Sequence, residues 1–126
     1  MKLYLLCAFI FVLLLTICFI SVFTVKNITK ETEDYIQQVI ILYQGEQITE
    51  GYRQIKQTEA YWKKHNNSLG MLLYHSEIDE ITTELAMLNA YAQMNNTKEI
   101  CCSCTEILTL LEQIREMEYP YLKNII

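Results

Sequence analysis

The chain is poor in the residues that interrupt helices. Its 126 residues include one proline, Pro120, and three glycines, Gly45, Gly51 and Gly70. That scarcity argues against a fold built on many tight β-turns, which needs Gly, Pro and Asn at special backbone positions. None of the three glycines sits in a phosphate-cradling run, so a nucleotide-binding loop is excluded as well. Histidine is equally scarce, with His65 and His75 alone. No Ser/His/Asp or Cys/His arrangement is spaced for nucleophilic catalysis. Basic charge is thin: from Glu31 onward seven Lys and Arg stand against fifteen Asp and Glu. Nucleic acid requires basic patches to neutralise phosphates, so it is not an expected partner. The expectation is a protein that is not an enzyme and carries no cofactor.

Charge of either sign is missing altogether from Leu3 to Val25, an uninterrupted apolar run between Lys2 and Lys26. At about 1.5 Å per residue the run reaches roughly 34 Å, enough to cross a hydrocarbon core of about 30 Å. It exceeds the apolar stretch of about 7–15 residues in a cleaved signal peptide. Ser21-Val22-Phe23-Thr24-Val25 offers no Ala-x-Ala cleavage pattern, and the residues before Cys7 and Cys18 are too large for a lipoprotein site. The expectation is an uncleaved signal anchor over residues 1–26, spanning a cell membrane once through residues 3–25, followed by one domain over residues 27–126. The short N-terminal flank places that domain outside the cytoplasm, although the basic residues Lys26 and Lys30 pull the other way.

Beyond the run, apolar residues recur in threes and fours, so the reading is all-α: an N-terminal transmembrane helix followed by a small antiparallel bundle of stacked helical hairpins. The anchor helix is expected to continue to about Gln44 with Gly45 ending it, burying Ile28, Thr32, Tyr35, Val39, Leu42 and Tyr43. A second helix is expected from about Glu46 to His65, on a seam of Ile48, Tyr52, Ile55, Glu59 and Trp62. Glu59 breaks that seam, its stem packing while its carboxylate reaches solvent. Asn66-Asn67-Ser68 then reads as a loop. The third segment either runs continuously from Leu69 or breaks near His75. Its seam continues through Ile78, Ile81, Leu85, Leu88 and Ala92. The fourth helix opens on Asn96 with Glu99 three residues on, a capping-box spacing. Its seam is Cys101, Cys104, Leu108, Leu111 and Ile114 or Arg115, and Pro120 is expected to stop it near Tyr119. No repeat of 20–50 residues is evident. Trp62, Ile78, Leu85, Leu88, Leu108 and Leu111 are the predicted core.

Two details carry candidate chemistry. Cys101-Cys102-Ser103-Cys104 places three thiols in four residues, which with His75 suggests a soft-metal or redox sensor. Against it, no second cysteine pair is present, and two thiols filling small core positions with Cys102 exposed is the plainer reading. His75 and Asp79 stand one helical turn apart, half of a metal site or a charge-assisted hydrogen bond that fixes register. Glu77, Glu80 and Glu84 form an acidic face, either solvated or open to a basic partner. His75, Glu77, Asp79, Glu80 and Cys102 are therefore the predicted interaction or switch positions. Tyr61, Tyr74 and Tyr91 are the predicted exposed contact aromatics.

Several of these details occur together: Trp62 late in a helix, the block His75-Ser76-Glu77-Ile78-Asp79-Glu80-Ile81, a Leu-rich helix reaching Tyr91, a last helix ending in Glu116-Met117-Glu118, and Leu122-Lys123-Asn124-Ile125-Ile126. In this combination, behind a single apolar run, the chain resembles the DUF4363-type family of small bacterial membrane-anchored helical proteins. The resemblance implies an all-helical domain tethered to a bacterial membrane and working beside another membrane protein. It supplies no catalytic residues, and at the cysteine cluster it implies Ala-like small residues. The function expected from all of this is an adaptor acting by protein–protein contact at the membrane surface, alone or as a homo-oligomer. The alternative is a metal- or redox-responsive sensor.

Overall fold

The computed structural model describes the backbone of residues 1–70 and 75–125, and the side chains of residues 1–70 and 76–116. Four helices follow one another: α1 (Lys2–Gln44), α2 (Ile48–Gly70), α3 (His75–Gln93) and α4 (Thr97–Ile125). No strand occurs among the described residues. α1 packs on α2 and α4, and α3 packs on α2 and α4, which closes an antiparallel ring of four.

α1 is one continuous helix of 43 residues, about 65 Å long, with two different surfaces. Its first half exposes large apolar side chains on every side, Phe11 at 63% and Phe19 at 67%. This helix is long and apolar enough to cross a membrane. From Val25 onward one stripe is buried: Val25, Ile28, Thr29, Thr32, Ile36, Val39 and Tyr43. A repeat of sevens, as alternating threes and fours, keeps a stripe facing its neighbours along a gently supercoiled bundle. α2 buries Gly51, Ile55, Thr58, Trp62 and Leu69. α3 contributes Ile78, Ile81, Leu85, Leu88 and Ala92, and α4 contributes Ile100, Ser103, Cys104, Ile107, Leu111 and Ile114.

These stripes obey one relation. Adding 49 to each buried position of α1 and α2 from Thr29 to Trp62 lands on a buried position of α3 or α4. Thr29 maps to Ile78, Ile36 to Leu85, Tyr43 to Ala92, Gly51 to Ile100 and Trp62 to Leu111. The bundle is thus two copies of one helical hairpin, a repeat invisible in residue identities. Both hairpin turns are alike. At the first, the Glu46 amide donates to the Tyr43 carbonyl and the Gln47 amide to the Leu42 carbonyl; at the second, Asn95 donates to Ala92 and Asn96 to Tyr91. This is the paired bond of a Schellman termination, which needs one residue in the left-handed region. Glu46 (φ 60°) and Asn95 (φ 54°) take it. Gly45 does end α1, but at φ −84°, so the strained position falls on its neighbour.

The structure revises several boundaries. α2 starts at Ile48 and runs through Asn66-Asn67-Ser68 to Gly70, because Leu69, seven residues after Trp62, is wholly buried and extends the seam. That buried anchor outweighs the weak helix propensity of Asn. α3 opens at His75, and the expected continuation of its seam through Leu72 lies outside the described residues. α4 does not stop at Tyr119 but continues through Pro120 to Ile125. The proline forgoes only its own bond to the Glu116 carbonyl. On α1 the seam takes Ile36 rather than Tyr35, and on α2 Thr58 rather than Glu59. Glu59 is half-buried, with Oε1 enclosed and unpartnered. On α4 the seam takes Ile100 and Ile107, leaving Cys101 and Leu108 half-buried. Leu42 and Tyr52 are half-buried and Ile48, at the start of α2, is exposed, whereas Trp62, Ile78, Leu85, Leu88 and Leu111 are buried as expected.

The buried threonines are satisfied within their own helices, whereas the Tyr43 hydroxyl, like Glu59 Oε1, is buried without a partner. Thr29, Thr32 and Thr58 each donate a hydroxyl to the carbonyl four residues back, at 2.8 Å. Trp62 Nε1 donates to Thr82 Oγ1 at 2.9 Å, which ties α2 to α3.

Candidate functional site

The anchor-side end of the bundle follows from antiparallel packing. α2 returns along α1 toward the apolar run, so residues late in α2 face residues early in the soluble part of α1. Between them lies an open groove of about 560 Å³. α1 supplies Thr24, Asn27, Lys30, Glu31 and Asp34, and α2 supplies Tyr61, His65 and Ser68. The spacings are one helical face on each side, next to the buried stripe rather than on it.

Aromatic rings brace its wall. Tyr61 meets Tyr35 edge-on with ring centroids 5.2 Å apart, and its other side lies 4.3 Å from the His65 ring. His65 Nδ1 is 2.9 Å from the Tyr61 carbonyl. A carbonyl only accepts, so this bond requires the proton on Nδ1 and leaves Nε2 as the acceptor of a neutral ring. Burial, together with a hydrogen bond to the Glu31 carboxylate, pushes the Tyr61 hydroxyl well above its ordinary range. Tyr61 therefore stays a neutral donor. The groove offers one ammonium, two carboxylates, a phenol and an imidazole in a short space: recognition chemistry for a polar or mixed-charge segment.

The predicted interaction or switch positions lie elsewhere, whereas Tyr61, one of the predicted contact aromatics, lines the groove. Asp79 and Glu80 are exposed and Glu77 is half-buried. Glu77 and Glu80 border a cavity of about 20 Å³ with Leu110, Gln113 and Ile114, about the size that holds one water. Burial and the neighbouring Glu80 charge raise the Glu77 carboxyl above its usual range. The side chain of His75, and the residue Tyr74, lie outside those described. Tyr61 and Tyr91 were expected to be exposed but are half-buried, each packed on the core beside its seam. The cysteines diverge: Cys102 is exposed, Cys101 half-buried and Cys104 wholly buried. Burial pushes the Cys104 thiol up to about 12, which makes it a small apolar core residue rather than a reactive one. Among the described residues no three His, Cys, Asp or Glu side chains converge on a metal position.

Sequence reading missed the groove. The sequence pattern ends α2 at His65 and marks none of Lys30, Glu31, Asp34 or Ser68 as a site. The available signal was the placement of Tyr61, His65 and Ser68 on one face, had α2 been extended through Ser68.

The family model described as "Domain of unknown function (DUF4363)" matches residues 19–125. The chain belongs to this family. The match covers the last turns of the apolar run and the four-helix bundle after it. No curated protein and no solved structure matches the chain.

Proposed function

We propose that this DUF4363 protein is a single-pass membrane tether whose bundle, on the outer face of the membrane, docks another membrane-proximal protein and performs no catalysis. The observation that carries the reading is the α1/α2 groove. It opens within two turns of the apolar run, at Thr24 and Asn27, and its aromatic wall is preorganised by the Tyr35–Tyr61–His65 stack. A site at that height favours a partner that is itself held at the membrane. The exposed acidic positions Asp79 and Glu80 lie on a different element.

The test is photo-crosslinking in cells, with a photoreactive amino acid at Asp34 or Ser68 in the groove and at Thr105 on the exposed face of α4. One discrete adduct from both groove positions, lost with Tyr61→Ala and absent from Thr105, is the expected result. Adducts that are equal from all three positions, or absent from the groove, overturn the reading. The side of the membrane is checked with an impermeant maleimide on Cys102: labelling in intact cells is expected, and labelling only after lysis reverses the orientation.

A further inference from the structure

The Arg115–Glu33 ion pair, each partner about a quarter exposed, sets the register of α4 against α1. The helices are antiparallel, so each step beyond Arg115 along α4 matches one step back along α1. α4 continues ten residues further to Ile125, about 15 Å, which brings Ile125 level with Phe23 and Leu122 level with Lys26. Phe23 belongs to the apolar run, and Lys26 is the first charge after it. The end of α4 therefore overlaps the level at which α1 enters its apolar stretch. Val25 is already buried there, and Ser21, Val22 and Thr24 are half-buried, whereas the run before them is exposed.

The residues that reach this level match it chemically. After Glu118 no acidic residue follows. The sequence carries Tyr119, Tyr121, Leu122, Lys123 and Ile125. Tyrosine favours the headgroup boundary, where ring and hydroxyl meet different surroundings, and lysine extends its ammonium outward from the same depth.

We propose that the last two turns of α4 are a second membrane contact, seated in the interfacial layer of the bilayer beside the anchor. The occupant of this segment is lipid, through its headgroup and upper acyl region. Two attachments, one spanning and one interfacial, would hold the bundle upright and keep the α1/α2 groove at constant height. The inference rests on the reading that Leu3–Val25 spans the bilayer.

The experiment uses the full chain in phosphatidylcholine vesicles, with Tyr121→Trp, Tyr119→Trp and Phe11→Trp made separately and the native Trp62 emission subtracted as baseline. Lipid brominated high on the acyl chain is expected to remove most of the added emission of Tyr121→Trp or Tyr119→Trp, and aqueous iodide to leave it. Phe11→Trp reports the anchor. If Phe11→Trp is quenched by brominated lipid while both tyrosine replacements respond only to iodide, the second contact is overturned and the anchor stands. If none of the three responds to brominated lipid, the spanning reading falls with it.

Discussion

The two hairpins of the bundle share a backbone plan and differ in what fills it. Where the first buries Thr29, Thr32 and Thr58, the second buries Ile78, Ile81 and Ile107. Where the first sets Tyr43 against Gly51, the second sets Ala92 and Ile100 at the equivalent places. A Cβ on Gly51 would lie 2.6 Å from Tyr43 Cε2, so the ring occupies the space that a side chain would need. Large and small have exchanged places between hairpins. Equivalent positions need a conserved total volume in the layer, not a conserved residue, as close-packed interiors require.

The comparison is most sharply tested at its centre. Trp62→Ala is expected to cost about 3–5 kcal/mol, somewhat more than Leu111→Ala at about 2–5 kcal/mol, since it also removes the bond to Thr82, whose hydroxyl keeps only its own donation to the Ile78 carbonyl. Thermal melts of the full chain followed by circular dichroism provide the ranking; equal losses would mean that the tie to α3 contributes nothing.

Volume exchange makes a coupled prediction. Gly51→Ile alone should clash with Tyr43, and Tyr43→Ala alone should leave a cavity. Together they imitate the second hairpin, and the pair should recover roughly 1–3 kcal/mol relative to additivity. Simple additivity would show that the layer is not shared.

A third difference is titratable. Cys104 stands where the first hairpin has Ile55. Its thiol is held protonated up to about 12 in the fold, against about 8.5 in the unfolded chain. Between those values the unfolded state loses the proton first, so stability is fully present below about pH 8.5 and falls as pH rises toward 12, by a few kcal/mol. Tyr43 and Tyr61, both raised by burial, extend the same trend. Cys104→Val should flatten the slope above pH 9. An unchanged slope would assign the whole of it to the tyrosines.

The smallest effect lies at the turns. Glu46→Gly relieves a left-handed residue and should stabilise by roughly 0.5–1 kcal/mol, whereas Asn95→Gly should change little, because Asn tolerates that conformation. Equal gains at both turns would remove the distinction.

Much of the fold was legible because helical periodicity survives almost any side-chain choice. The apolar run, the end of α1 at Gln44 and the α3 seam from Ile78 to Ala92 all follow from spacing. The Asn96 cap is made as well, its Oδ1 accepting the Glu99 amide at 3.3 Å. The capping box is only half used, since the Asn96 amide already bonds the Tyr91 carbonyl in the turn. The seam was off by one residue at Tyr35, Glu59 and Leu108, which stand beside Ile36, Thr58 and Ile107. At Thr58 the reason is that hydrophobicity undervalues a threonine that bonds its own helix; at the other two, adjacent apolar residues fit the period equally well. The groove was less legible because it belongs to no single helix: Glu31 and Tyr61 are thirty residues apart in sequence and meet only through antiparallel register.

The sequence by itself determined the helical class, the long apolar run and the approximate face of each helix, because these depend on composition and on a period of about 3.6 residues. Tertiary structure alone decided that two unlike hairpins are one motif repeated, that Tyr43 lies on Gly51, and that Tyr61 and His65 wall a groove beside the end of the apolar run. Those facts depend on how volumes and registers fit across helices, and a linear pattern carries no measure of the space between them.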